Sequence, residues 1–277
     1  MADDNPSRRR YLGVASSLTV AGVLGSASAL GAQSDGTESQ QLESAGSAQS
    51  STDDSAVTRE SYAIAEGTEY ETTVYVVESA TDGPTATVLG GFHGNEQSGV
   101  LAARDVREWP IDVGTLVVIP ESNSVAVEEN VRSGPFGDLN RQFPIGEEPE
   151  SPLAEAIWET ILRHDTDVLL NLHSSTGLYP SDGWGQAIFY APGKAAAGAT
   201  RTVDYLNDNV VPDDRPAYKF EAAPRNIEQA PTGLVTGKAA YDLDITSYLV
   251  EVTSKDLTVS TQVEWTKAVV RPLLSGV

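Results

Sequence analysis

Cysteine is absent from this 277-residue chain. Its absence excludes disulfide bonds, a thiol nucleophile and thiolate-bound zinc, and it leaves the redox compartment undetermined. Histidine occurs only three times, at positions 93, 164 and 173, so a histidine-based metal site has few residues to draw on. The sequence also lacks a G-x-S-x-G elbow, a P-loop and a dinucleotide-binding fingerprint, which disfavours a serine hydrolase and the nucleotide-binding classes.

Basic residues are scarce as well. The chain carries 40 acidic residues against 18 basic ones, for a formal net charge of -22, and only five of the basic residues are lysine. This charge disfavours nucleic acid and anionic membrane surfaces as partners, because both would repel the chain. The acids are spread along the chain, a pattern that favours a protein adapted to high salt, where self-repulsion is screened. An acidic protein of ordinary salt conditions is the alternative.

The first residues have the composition of an export signal. Residues 7–13 (SRRRYLG) precede a weakly apolar run of small residues that extends to about Ala32. This resembles a twin-arginine signal peptide over residues 1–32, with cleavage after Ala29 or after Ala32. Such a signal predicts an exported protein with no stable membrane partner once it is cleaved. An uncleaved membrane anchor is the alternative.

Residues 33–57 contain five acids, no basic residue and no aromatic residue, together with many Ser and Gln. Such a segment cannot bury enough surface to offset the entropy of ordering, so it is predicted to be a disordered linker. The remaining residues, 58–277, are predicted to form a single domain.

Strand and helix patterns alternate along that domain. Strands are predicted at 72–77, 85–92, 115–119, 167–172, 187–190 and 245–252, and helices at 97–109, at 202–211, at 261–274 and from Ser151-Pro152 onward. Residues 120–150 show no period and are rich in Gly and Pro, which predicts a long loop. The alternation predicts an α/β fold with a mostly parallel, mixed sheet flanked by helices on both faces. Ligands of such sheets bind beyond the carboxyl ends of the strands.

Two of the three histidines lie at the ends of apolar strands, a poor position for a solvated side chain. His93 is followed three residues later by Glu96, across a turn into a helix, so both side chains can reach one ion. His173 follows another buried strand and can supply a third ligand. Two imidazoles and one carboxylate leave a fourth position for water, as a catalytic zinc requires. His164 ends a helix, where an interaction with the helix dipole is expected instead.

Three motifs together carry a family resemblance. They are Gly90-Gly91-Phe92-His93-Gly94-Asn95-Glu96, Asp138-Leu139-Asn140-Arg141-Gln142-Phe143-Pro144 and Asn171-Leu172-His173-Ser174-Ser175. In this order they resemble the zinc carboxypeptidase superfamily, and within it the succinylglutamate desuccinylase and aspartoacylase branch.

The resemblance implies one zinc ion per chain, held by His93, Glu96 and His173. It further implies that Asn140 and Arg141 bind a substrate carboxylate. Two catalytic residues are also implied: Arg132 as the group that polarises the scissile carbonyl, and Glu251 as the catalytic carboxylate. The resemblance does not place the tyrosine that carboxypeptidases use near the substrate, for which the candidates are Tyr179, Tyr218, Tyr241 and Tyr248.

These residues predict a zinc hydrolase that cleaves an amide bond next to a free carboxylate. The first interpretation is a deacylase of small N-acyl amino acids, and the second is a secreted metallocarboxypeptidase acting on peptides. Both use the same zinc, water, Arg and Glu, and they differ in the substrate pocket. An inactive secreted binding module of the same fold is a third interpretation, which the complete ligand set disfavours.

The charge composition generates a prediction about stability. If the fold depends on screening of its net charge of -22, the melting temperature rises steeply between low salt and molar KCl. Thermal melts followed by circular dichroism over that range measure it. A melting temperature that stays level or falls contradicts the salt-adapted interpretation.

Overall fold

The structure is a computed structural model of the chain, and it describes residues 57–225 and 231–275. The predicted signal peptide, 1–32, and the predicted linker as far as residue 56 lie outside the described residues. The first strand begins at Val57, which the composition assigned to the end of the linker. This strand therefore begins one residue before the predicted domain boundary at 58.

Eight strands of residues 57–225 and 231–275 form one sheet. Several are rich in β-branched residues, which suit a pleated and buried surface. In chain order they are β1 (Val57–Ile64), β2 (Thr72–Ser79), β3 (Thr85–Leu89), β4 (Thr115–Ile119), β5 (Val168–Ser175), β6 (Ala187–Tyr190), β7 (Glu221–Pro224) and β8 (Thr246–Thr253).

Within the part of the chain that the structure describes, six α-helices accompany the sheet, together with short 3₁₀ turns at Leu139–Arg141 and Pro216–Tyr218. Ser151 caps the third helix by accepting a hydrogen bond from the backbone N–H of Ala154 at 3.2 Å, with Pro152 at the first helical position. The helices are α1 (Gln97–Val106), α2 (Ser124–Glu129), α3 (Pro152–Arg163), α4 (Ala195–Asn209), α5 (Val235–Leu243) and α6 (Val259–Ser275). None of the helices in the described segments has the length and apolarity to cross a membrane.

The sheet is mixed, with a parallel centre. Its strand order is β1-β2-β4-β3-β5-β8-β6-β7. The pairs β4–β3, β3–β5 and β5–β8 are parallel, as is the edge pair β6–β7, whereas β1–β2, β2–β4 and β8–β6 are antiparallel. The prediction of a mostly parallel, mixed sheet is therefore confirmed.

Helices cover both faces of the sheet. On one face α1, α4 and α6 pack on side chains such as Val88, Leu170 and Val250. On the other face α3 and α5 pack on Leu89 and Leu169. Neighbouring residues of a strand point to opposite faces, and both faces are covered, so β3, β5 and β8 are buried almost throughout.

The central strands end at the same edge of the sheet. His93 follows β3, while His173 and Glu251 lie within the last residues of β5 and β8. His173 pairs in register with Glu251, so their side chains leave the same face of the sheet on adjacent strands. This edge is where the sequence predicted the ligand crevice.

Four elements were not predicted from the sequence: β1, β7, α2 and α5. The first of the two helices, α2, interrupts the predicted loop 120–150. It has only six residues, and Asn123 caps it by accepting from the backbone N–H of Ala126 at 3.3 Å. Such a short helix leaves no periodic apolar stripe in the sequence, and its stability comes from the cap and from tertiary contacts.

Two glycines permit a close approach of the elements around His93. A Cβ on Gly94 would lie 1.8 Å from the backbone oxygen of Ala126 in α2. A Cβ on Gly99, in α1, would lie 2.4 Å from the backbone oxygen of Leu172 in β5. Any larger residue would push α1 away from the strand that carries His173.

This packing predicts opposite effects for two helical glycines. Gly99→Ala destabilises the fold by about 1–3 kcal/mol, because the backbone of β5 must move. Gly237→Ala in α5 is the matched control, since its nearest neighbour is a side-chain atom of Ile145 at 3.8 Å. That change stabilises by about 0.5–1 kcal/mol through helix propensity. Urea unfolding midpoints measure both, and equal midpoints for the two variants contradict the packing argument.

Candidate active site

The structure brings His93, Glu96 and His173 together. His93 Nδ1 lies 2.6 Å from Glu96 Oε1, and His173 Nδ1 lies 2.7 Å from Glu96 Oε2. The two Nδ1 atoms are 3.1 Å apart. The third histidine, His164, lies elsewhere, with its Nε2 atom 2.9 Å from the hydroxyl of Tyr62.

The donor atoms of this cluster suit a zinc ion. One ligand atom from each of the three residues lies within 4.8 Å of the others. The imidazoles are 4% and 1% exposed, so little water reaches the nitrogen atoms that face each other. Two buried imidazoles directed at one carboxylate are a zinc donor set with room for a further ligand. These residues therefore fit the metal that the motifs imply.

The remaining ring nitrogens are also contacted. His93 Nε2 lies 2.9 Å from Asp138 Oδ1, and His173 Nε2 lies 3.3 Å from Asn140 Nδ2. Contacts of this kind orient the rings of metal-binding histidines. Asp138 was not predicted as a site residue, although it begins the second motif. Its position next to Asn140 and Arg141 could have marked it as a site residue. Its contact with His93 could not be read from the sequence, because the two residues are 45 positions apart.

Charge coupling stabilises the ionised carboxylates of the cluster. Burial opposes ionisation of Glu96, but the neighbouring His173 and His93 lower its pKa. Burial likewise opposes ionisation of Asp138, whose pKa is lowered by His93, Arg132 and Arg141. The site therefore holds two carboxylates in their charged forms, as a cation-binding site needs.

Arg132 and Arg141 line the same cavity as the cluster. The half-exposed Arg132 donates to Glu96 Oε1 and to Asp138 Oδ2, at 3.2 Å each. The side chain of Arg141 donates to the backbone oxygen of Asn140 at 2.6 Å. Within the described chain the Arg141 guanidinium thus pairs with a neutral carbonyl, and its other N–H groups remain available to a ligand. The carbonyl-polarising role of Arg132 stays a prediction.

Asn140 has contacts that its predicted role did not include. The side chain is 4% exposed, and its amide contacts His173 on one side and Asn171 Nδ2 at 3.5 Å on the other. Asn140 also lines the cavity, and its role in binding a substrate carboxylate stays a prediction. The contact with His173 indicates a second role, which is to orient that imidazole ring.

Glu251 lies beside the cluster and is not part of it. Its Oε2 atom is buried and has no hydrogen-bond partner among residues 57–225 and 231–275. Burial raises the pKa of Glu251 well above its usual range, and the nearby charge of Glu96 raises it further. Arg132 and Arg225 oppose that shift. An unpartnered carboxylate on a cavity wall is poised to exchange a proton.

The cavity has a volume of about 590 Å³. Its wall contains the predicted residues His93, Glu96, Asn140, Arg141, Arg132 and Glu251. Residues that were not predicted also line it, among them Trp184, Phe189, Arg225 and Gln262. These come from β6, from the end of β7, from α6 and from the segment before β6, so only the folded chain brings them to the motifs.

None of the four candidate tyrosines is part of this cavity wall. Tyr179 packs against Trp184 and Phe189, and the Tyr218 hydroxyl donates to Lys255. Tyr241 lines a neighbouring cavity. The hydroxyl of Tyr248 occupies the space above Gly198 of α4. The described residues therefore place no tyrosine at the metal-ligand cluster.

The strand ends of this α/β sheet hold two histidines and a glutamate that fit a metal ion, with a second glutamate beside them, which is the class of site that the motifs imply. The family model for the succinylglutamate desuccinylase/aspartoacylase catalytic domain matches residues 82–177. The resemblance drawn from the three motifs is thereby confirmed over that segment, which contains all three of them. It is a family of hydrolases that act as deacylases.

One curated relative is an N-alpha-acetyl-L-2,4-diaminobutyric acid deacetylase from Halomonas elongata. It is 36% identical over 101 residues, which make up 34% of this chain and 29% of the relative. The matched segment is thus less than a third of the relative's length.

Two solved structures share the fold. The mDAP-bound form of the D,L-carboxypeptidase Csd4 from Helicobacter pylori has a TM-score of 0.61 at 21% identity, over 70% of this chain and 50% of that one. A succinylglutamate desuccinylase/aspartoacylase from Rhodobacter sphaeroides has a TM-score of 0.56 at 18% identity, over 80% and 65%. This chain therefore covers about half to two thirds of these proteins. At such identities the likeness establishes the fold.

Proposed function

We propose that this chain is a zinc-dependent hydrolase that removes the acyl group from N-acyl amino acids with a free carboxylate. The observation that carries the proposal is the juxtaposition, in one cavity, of the His93, Glu96 and His173 cluster with Glu251, whose Oε2 atom is buried. The relative from Halomonas elongata supports it, because that protein is named as the deacetylase of an N-acetylated amino acid.

Each residue has a part in this proposal. Zinc bound by His93, Glu96 and His173 supplies a Lewis acid and lowers the pKa of water to about 7. Glu251 accepts the proton of the attacking water and delivers it to the leaving nitrogen, so the amide and water give a carboxylic acid and an amine. Arg132 donates to the carbonyl oxygen as negative charge develops there.

Arg141 supplies the substrate contact. A guanidinium donates two parallel hydrogen bonds to a planar carboxylate, a geometry that a lysine cannot reproduce. Its position on the wall of the same cavity allows it to hold a carboxylate near the scissile amide. This contact is what makes a free carboxylate a requirement of the proposed substrate.

A metallocarboxypeptidase acting on peptides is the second candidate. It shares every residue above, and the volume of about 590 Å³ has room for a group larger than a small acyl chain. An inactive binding module is disfavoured by Glu251, since binding alone gives no reason to bury a carboxylate without a partner. Export through the twin-arginine-type signal remains part of the proposal.

The first experiment separates metal binding from proton transfer. His93→Ala and His173→Ala lose stoichiometric zinc and activity together, because each removes a ligand. Glu251→Gln keeps its zinc and loses activity about 100-fold or more, since an amide cannot accept the proton. Zinc content by atomic emission and turnover of an N-acyl amino acid are measured on the same samples.

His164→Ala is the matched control, because it removes a histidine of the same chain that lies away from the cluster. It keeps both zinc and activity. Loss of zinc in that variant, or near wild-type turnover in Glu251→Gln, would falsify the assignment of roles.

The second experiment tests the free carboxylate. Amidation of the substrate carboxylate costs about 2–5 kcal/mol in kcat/KM, the range for removing one partner of a buried charged pair. Arg141→Ala abolishes this discrimination, and Arg141→Lys restores only part of it. Assays of N-acyl amino acids, their amides and matched peptides also separate the deacylase from the carboxypeptidase. Equal cleavage of acid and amide by the wild-type protein contradicts the role of Arg141.

A further inference from the structure

One lysine of this lysine-poor chain is buried. Lys238 lies in α5 and is 3% exposed, whereas the other four lysines are exposed or partly exposed. Burial of an ammonium group is costly unless its three N–H bonds find acceptors and its charge finds a counterion. The proposed chemistry does not use this lysine, so the reason for its burial lies in its contacts.

Three acceptors surround the Lys238 ammonium group. Its Nζ atom donates to the backbone oxygen of Pro144 at 3.1 Å, to that of Glu147 at 2.5 Å and to Asp242 Oδ2 at 2.7 Å. The same atom lies 4.9 Å from the ring centre of Trp158. The protein therefore satisfies all three donors and the charge, and the ammonium group has no donor left for a ligand.

Two of these acceptors belong to the loop that follows the turn of Arg141. Asp242 contacts the same loop directly, because the backbone N–H of Gly146 donates to both of its carboxylate oxygens, at 3.0 and 3.1 Å. Lys238 and Asp242 are one helical turn apart, so both hold residues 144–147 from the same face of α5. We call this arrangement of the two side chains and the loop the α5 clamp.

The beginning of α5 packs on the turn of Arg141 itself. A Cβ on Gly233 would lie 2.0 Å from the backbone oxygen of Arg141, and the φ of this glycine is +78°. The backbone N–H of Phe143 donates to the oxygen of Gly233 at 3.0 Å. The backbone N–H of Lys238 donates to the oxygen of Leu234, also at 3.0 Å. The clamp and the contact with the turn are thus parts of one helix.

The position of the Arg141 guanidinium depends on this backbone. Among residues 57–225 and 231–275 its side chain donates to one acceptor, the neutral backbone oxygen of Asn140. Two parallel hydrogen bonds to a carboxylate require a narrow range of positions. A displacement of about 1 Å can cost about 100-fold in rate. A movement of residues 144–147 would therefore change how Arg141 meets a substrate.

On the basis of the proposed function, we infer that Lys238 is a positioning residue. With Asp242 it fixes the turn of Arg141 at the distance from the metal-ligand cluster that the substrate carboxylate requires. The lysine itself touches no substrate, because its donors are used inside the protein. Its loss weakens the contact with the carboxylate and leaves the metal ligands in place, since these are held by β3, β5 and the start of α1.

Methionine at this position tests the role, because it has a similar volume and no donor. The probes are N-acetylalanine, N-acetylglutamate and N-acetyl-2,4-diaminobutyrate, each paired with its α-carboxamide. For the acids, Lys238→Met raises KM about 10-fold or more and changes kcat less than about twofold. The carboxamides lack the carboxylate and change less than about twofold in kcat/KM. The preference for acid over amide therefore falls about 10-fold, with zinc content unchanged.

A second variant guards against a loss of folding. Lys238→Met alone leaves the mostly buried Asp242 without the ammonium group, which destabilises the fold. Asp242→Asn and the double variant Lys238→Met/Asp242→Asn remove that unpaired charge. If the two side chains act as one clamp, each single change already has nearly the full effect on the preference, and the double variant adds little.

Lys267→Met is the matched control. The Lys267 ammonium group also pairs with two carboxylates, those of Asp105 at 2.9 Å and Glu264 at 2.8 Å. This lysine lines neither cavity and belongs to α6. The control variant keeps the wild-type preference for acid over amide.

Hydrogen exchange measures the clamp without any substrate. In Lys238→Met the amide of Gly146 exchanges at least about 10-fold faster than in the wild-type protein, because its acceptor Asp242 is no longer held. The amide of Leu170, in the centre of β5, keeps its wild-type rate. In Lys267→Met both amides keep their rates.

Calorimetric dissociation constants of the same compounds keep this inference separate from the proposed function. If no compound is hydrolysed, the deacylase proposal fails, but tighter binding of acid than of amide that is lost in Lys238→Met still supports the positioning role. A variant that melts at a lower temperature and keeps the full preference overturns the inference, because the clamp then only stabilises the fold. Loss of zinc or of kcat in Lys238→Met, or equal binding of acid and amide by the wild-type protein, overturns it as well.

Discussion

One buried carboxylate, Glu96, joins the two imidazoles on which the site depends. It contacts His93 through one oxygen and His173 through the other, and it also accepts from the backbone N–H of Ser174 at 3.0 Å. A carboxylate that is 9% exposed is costly to ionise unless its neighbours compensate. The imidazoles and Arg132 provide that compensation, and a cation bound by the cluster would add to it.

The position of Glu96 follows from backbone packing more than from its own side chain. The turn that holds it passes so close to α2 that Gly94 has no space for a Cβ, and α1 begins directly after it. The next contact, between Gly99 and β5, fixes the distance from this turn to the strand of His173. The ligand geometry is thus set by interactions between main-chain atoms of α1, α2 and β5, which are rigid elements.

The sequence predicted those parts of the molecule whose signal is local. The strands β4 and β6 were predicted with their observed bounds, because each is a short apolar run between polar turns. The His93, Glu96 and His173 cluster was predicted from strand ends and motif order. Asp138, Arg225 and the strand β1 were missed, because their significance lies in contacts with distant positions. For Arg225 the sequence offers one cation after a four-residue strand, and only the fold adds Phe189 and Trp184.

The distribution of charge links the composition to the site. A chain with a formal net charge of -22 repels anions at long range, yet Arg132, Arg141 and Arg225 line one cavity. Salt shortens the range of the repulsion, to about 3 Å at 1 M, and affects a desolvated contact much less. High salt would therefore remove the barrier to approach of an anionic substrate while leaving the arginine contacts largely intact. An acidic surface and an arginine-lined cavity are compatible for this reason, and under the proposed function the arginines would bind carboxylates beside the proposed site of amide cleavage.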